Sequence, residues 1–191
     1  MQIYTLNQAL TGSLLVSMPS LRDPALRKGV ILVCAHSATG AIGILVNRPA
    51  KSMSLENLGL PHLANRRYAK PRLPVRSGGP ADTGHILVLH GNDYEAGDQT
   101  VAVTPDIRMT SDRAVLLEMS RGQGPEQVII TSGYCAWRAG ELEDEVRRGV
   151  WLTTEASNSF LFRTAAKDRW AAAVTAMGAA PAALSGQAGH C

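Results

Sequence analysis

Cys34 and His36 are the residues whose types and spacing most directly suggest chemistry. A neighbouring imidazolium favours the thiolate, so a thiol beside an imidazole can make a nucleophile or a redox sensor. Both sit where an apolar run ends, in VILVCAHSATGAIGILVNRPA (30–50). On a regular strand, residues two apart project from the same face, so the spacing predicts neighbours. Parallel projection is a poor geometry for a direct hydrogen bond, and free cysteine is among the most buried residue types. Burial of Cys34 is therefore the expectation, with a thiol-dependent enzyme or redox sensor using Cys34 and His36 as an alternative.

Anion chemistry is the second possibility. The stretch closes on Asn47-Arg48-Pro49, which reads as a strand exit with Arg48 held extended by the proline. Arg48 is expected to cap or pair, with anion binding as its functional reading. In RSGGPADTG (76–84), Gly78-Gly79 after Ser77 reads as a tight loop into the next strand. Its functional reading is a backbone nest for an anion beside Arg76. Cys34, His36, Asn47, Arg48, Ser77, Gly78 and Gly79 together form the candidate binding set, a cleft between the 34–49 hairpin and the 77–80 turn.

Upstream, NRRYAKPRLPVR (65–76) places Arg66, Arg67, Lys70 and Arg72 around Tyr68. Such a segment could follow a phosphate backbone. Aromatic residues make up only 5% of the chain, which leaves little for base stacking. A solvated basic loop is the expectation, and nucleic-acid contact through these residues the alternative. The histidines His36, His62, His85, His90 and His190 show no metal-ligand spacing. No phosphate loop, nucleophile elbow or dinucleotide fingerprint is present, so neither metal nor cofactor is predicted. Trp137 and Trp151 read as core or interface anchors, and Glu141, Glu143 and Asp144 as the acidic first turn of a helix.

The elements that must position these residues are mostly strands. Short runs rich in Val, Ile and Leu cover 13–18, 30–35, 41–46, 85–89, 100–104 and 127–131. The second and third form a hairpin with a four- or five-residue link ending at Gly40, and Gly43 marks a bulge or a close backbone approach. Helical pattern appears after Thr110 or Ser111, with Val115, Leu116 and Met119 on one face and Gly122 as the stop. A second helix starts at Arg163, carries Ala166, Trp170, Val174 and Met177 on one stripe, and ends at Gly178. The shorter GELEDEVRRG offers Glu143–Arg147 and Asp144–Arg148 pairs.

The chain of 191 residues, 45% hydrophobic and 18% charged, is expected to form one domain over 1–191, with 179–191 as a small-residue tail. A net charge of +3 selects no partner. Three cysteines without framework spacing fit a reducing cytoplasm. The N-terminus lacks the pattern of a signal peptide, and no run is long enough to span a membrane.

Six segments, in order, carry a resemblance. They are GSLLVSMPSLRDP (12–24), VILVCAHSATGAIGILVNRP (30–49), SGGP (77–80), TSDRAVLLEM (110–119), SGYCAWRAGELEDEV (132–146) and the terminal GH (189–190). As an ordered set they resemble the YqgE/AlgH family of bacterial proteins, some of which are labelled transcriptional regulators. The resemblance implies an α+β fold whose bent, mixed β-sheet forms a partly closed, barrel-like core with helices packed outside. It carries over no enzymatic activity. The chain departs from the family pattern at Cys135-Ala136-Trp137, where a small residue and Gly-Trp are typical. It also has Glu141 in place of Gln, and Cys191 where Ala usually follows the His. The reading that results is a cytoplasmic protein that acts by binding a small molecule or a protein rather than by catalysis.

Overall fold

A computed structural model describes residues 10–49, 74–95 and 97–181. The chain runs β1 (Ser13–Ser17), β2 (Val30–Ser37), β3 (Gly40–Leu45), β4 (Val75–Ser77), β5 (Ala81–His90), β6 (Thr100–Thr104), β7 (Ile107–Thr110), α1 (Ala114–Arg121), β8 (Val128–Arg138), α2 (Glu141–Arg147), β9 (Trp151–Glu155), α3 (Asn158–Arg163) and α4 (Arg169–Ala176). The strands make one sheet in the order β6-β7-β5-β8-β3-β2-β1-β9, with β4 added in parallel to β8. Every other pairing is antiparallel, so the sheet is mixed.

The sheet curls strongly into a half-barrel. Its closure shows at Gly12, where an added Cβ would lie 2.9 Å from Thr104 Cγ2 and 3.2 Å from the Val103 carbonyl. The β6 edge thus comes round against the start of β1. Alternation of side chains then sorts the core into layers. Leu14, Val16, Val30, Leu32, Ile44, Leu87 and Leu89 fill the concave side. The helices α3 and α4 close that side with Leu161, Trp170, Ala173 and Val174. On the outer face, α1 lays Val115, Leu116 and Met119 over Ile86, Val88 and Ile130. There too, α2 sets Leu142 against Leu15, Ile31, Val33 and Trp151. Each fully buried Leu or Ile removes apolar surface worth about 2 kcal/mol, so the three layers rather than any one contact hold the curl.

The expected bent sheet with outer helices is what the chain forms, with α3 and α4 added on the inner side. One helix differs from expectation. The stripe from Arg163 is broken, because Thr164 is extended (φ −79°, ψ 128°) and a turn closes from Ala165 to Asp168 before α4 starts. The helix α1 ends as predicted, with Gly122 left-handed at φ 81°. No helix among the described residues is long and apolar enough to cross a membrane.

Candidate functional site

The hairpin of β2 and β3 turns through two residues, with Ser37 opposite Gly40, a tighter link than predicted. More consequential is an irregularity in β2. Val33 pairs with Gly43 and Ala35 with Ile42, so Cys34 is an extra residue on its strand. A one-residue bulge reverses which face each later residue occupies. Cys34 stays on the concave side with Val30 and Leu32, whereas His36 moves to the outer face opposite Ala41. The predicted same-face pair therefore does not form. Gly43 is the close approach rather than the bulge itself, since a Cβ there would lie 2.6 Å from Ile31 Cγ2 and 3.1 Å from the Trp137 ring.

The Cys34 thiol is 2% exposed, and burial pushes it far above the ordinary thiol range. His36 is held at both nitrogens. The Leu10 N–H donates to Nδ1 at 3.0 Å, so Nε2 carries the proton and faces Glu143 Oε1 at 3.1 Å. Glu143 is thereby taken from its predicted Arg147 partner, which pairs with Asp144 instead. Nearby, one oxygen of Glu145 accepts from two indoles, Trp137 at 2.8 Å and Trp151 at 2.7 Å. Cys135, beneath the same helix, is pushed up to about 12 by burial and then by the charges of Asp23 and Glu145. This outer corner is a set of pins that fastens α2 to the sheet.

The glycine turn is equally committed to backbone packing. Gly78 N–H donates to the Ser132 carbonyl and its own carbonyl accepts from Leu45 N–H, both at 2.8 Å. A Cβ at Gly78 would fall 2.1 Å from the Gly133 carbonyl oxygen, and one at Gly79 2.1 Å from the Tyr134 backbone. Gly133 itself has φ 75°. Two backbones cross here at a separation only glycine allows. The Gly78 N–H is already bonded, so it does not serve as a nest donor. Ser77 ends β4 half-buried beside this crossing.

At the far end of β3, Asn47 bridges the chain before β2. Its Oδ1 accepts from Val30 N–H at 2.9 Å and its Nδ2 donates to the Lys28 carbonyl at 2.8 Å. Arg48 donates to the carbonyls of Ala25 and Arg27, so it clamps the same loop. The structure thus brings Asn47 and Arg48 together with Ser77, Gly78 and Gly79 around the join of β3 and β4. It places Cys34 in the concave core and His36 under α2. Arg66, Arg67, Lys70, Arg72 and Cys191 lie outside the described residues.

Sequence reasoning passed over Arg169. It is 3% exposed, and its guanidinium donates to the carbonyls of Val46 and Leu161 while Nε has no partner among the described residues. An arginine in an Ala-rich helix looks like a solvated residue. The available signal was its position directly before Trp170 on the stripe that packs inward.

The arrangement has clear relatives. The profile of the AlgH-like family matches residues 14–182. A UPF0301 protein of Cereibacter sphaeroides is 39% identical over 185 residues, covering 95% of this chain and 98% of the relative. One from Rhodospirillum rubrum is 38% identical over 186 residues, covering 95% and 94%. The solution structure of the AlgH protein from Pseudomonas aeruginosa superposes with a TM-score of 0.76 at 29% identity, over 100% of both chains. The crystal structure of a Corynebacterium diphtheriae protein shares the fold, with a TM-score of 0.71 at 19% identity over 93% and 90%. With this profile match and these full-length relatives, the chain belongs to the AlgH-like family, the YqgE/AlgH group whose motifs it carries.

Proposed function

We propose that the protein acts by binding, in a reducing compartment such as the bacterial cytoplasm, rather than by thiol or acid–base catalysis. One observation carries this reading: the side chains best suited to covalent chemistry are committed to the fold. Cys34 faces the concave core, His36 lies on the opposite face, and both ring nitrogens of His36 are engaged. A nucleophile needs its base within hydrogen-bond reach and a thiolate fraction to attack with, and this arrangement supplies neither. The join of β3 and β4, around Asn47, Arg48 and Ser77, is the contact site in this reading.

Native alkylation tests it. With iodoacetamide at neutral pH, peptide mapping is expected to show Cys34 and Cys135 unmodified in the folded protein and fully modified in urea. Rapid native labelling of Cys34 would overturn the reading in favour of a thiol enzyme or redox sensor. A salt-sensitive gel shift abolished by neutralising Arg66, Arg67, Lys70 and Arg72 would identify the bound partner as nucleic acid.

A further inference from the structure

The concave end where β3 meets β4 gathers cations with no acid paired to them among the described residues. Val75 packs against α1, so Arg76, next on β4, projects to the concave side. That side is where Arg169 reaches the Val46 carbonyl. The two positions are close along the sheet, because Leu45 bonds to Gly78 and Pro49 bridges to Arg76. Lys28 lies at the same end, its ammonium 5.4 Å from the centroid of the Trp170 ring. Ion pairs among the described residues join His36 to Glu143, His85 to Asp82, Arg121 to Glu118 and Arg147 to Asp144. None involves Arg76, Arg169 or Lys28. Arg76 makes no side-chain hydrogen bond among those residues either.

Burying one guanidinium without a counter-charge is costly, and a second one beside it adds repulsion. The protein accepts both costs here. Burial and the Arg76 charge together bring the Arg169 guanidinium down to about 10, and burial also lowers that of Arg76. The backbone carbonyls of Val46 and Leu161 fix the Arg169 plane while Nε stays without a partner among the described residues. A planar fork held in place is the arrangement that suits a carboxylate or a phosphate group.

We propose that Arg76 and Arg169 form a binding site for the oxyanion group of a small molecule, carboxylate or phosphate, with Lys28 at its margin. The proposal deepens the binding reading above and rests on it. An anion in this site answers the unpartnered Nε of Arg169 and relieves the repulsion between the two guanidiniums.

Titration with inorganic phosphate and, separately, succinate tests the site at constant ionic strength. Either anion is expected to shift the Arg169 Nε–H resonance saturably. At tenfold excess over its dissociation constant it should also raise the melting temperature by about 3–5 °C. Tighter binding of phosphate assigns a phosphate-bearing ligand, and tighter binding of succinate a carboxylate. Arg76→Gln should weaken binding about tenfold or more. The same variant should melt no lower than the parent without anion, because it removes a like charge beside Arg169. Arg121→Gln, on α1, should leave binding unchanged. No saturable shift with either anion, or equal affinity in Arg76→Gln, overturns the site. Native thiol labelling judges the binding reading separately, so the two can fail independently.

Discussion

The outer face of the β2–β3 hairpin, under α2, and the concave side at its base are built on opposite principles. Under α2, the polar atoms are answered: His36 at both nitrogens, and the indoles of Trp137 and Trp151 on one oxygen of Glu145. At the base, Arg169 keeps an unpartnered nitrogen and Arg76 stands beside it without a carboxylate among the described residues. Satisfied networks rigidify, whereas buried groups left unanswered cost stability and persist where something else answers them. The contrast teaches that residues with a familiar chemical signature can serve as fasteners. Capacity for a ligand then sits with residues that carry no signature.

The largest effect is expected at the crossing beside the cationic base. Gly133→Ala must adopt φ 75° and place a Cβ 2.6 Å from the Gly79 carbonyl oxygen and 2.8 Å from that of Ala81. Both neighbours are backbone, so urea unfolding should show a loss of about 3–5 kcal/mol or no folded protein. A loss under about 1 kcal/mol would mean that the crossing yields, and that it does not fix the base.

A smaller effect should follow under α2. Glu145→Ala strands two indole N–H groups and should cost about 3 kcal/mol in the same assay. Because both indoles donate to one oxygen, Glu145→Gln keeps an acceptor for them and should recover most of that loss. Equal losses for the two variants would show that charge, not acceptor geometry, holds the corner.

The smallest effect concerns His90, buried at the end of β5 with Nδ1 on the Gly91 carbonyl and Nε2 without a partner among the described residues. Burial, reinforced by the Arg108 charge, holds its imidazole below the ordinary 6.5, against the opposing Gly91 carbonyl and Asp93. The folded state then binds fewer protons than the unfolded state just below pH 6.5, so stability falls as pH drops through that window. His90→Phe keeps a ring against Tyr94 and should flatten this fall. Parallel stability–pH curves for parent and variant would remove His90 from the set of unanswered groups.

Much of the fold was legible. Apolar runs located β1, β2, β3, β6 and the cores of β5 and β8, because alternation and turn residues write strands directly into sequence. The strands β4, β7 and β9 were not, being short and specified by their neighbours rather than by their own pattern. The face of His36 was beyond reach for a physical reason. A bulge at Cys34 depends on the cross-strand register, which no local spacing records. Likewise, the glycine turn was readable as a turn, but its crossing with Gly133 joins residues more than fifty positions apart. Arg169 illustrates the remaining gap, since burial of a charge is decided by what α4 packs against.

The tryptophans turn this division into an optical one. The chain has three. Trp137 and Trp151 share the Glu145 carboxylate, so detachment of α2 alters the surroundings of both together. Trp170 instead donates its N–H to the Ser17 carbonyl and lies beneath the Lys28 ammonium, one residue from Arg169. Events on the concave side therefore fall on a separate chromophore, and replacing either set of indoles leaves a molecule whose fluorescence reports on one face of the sheet alone.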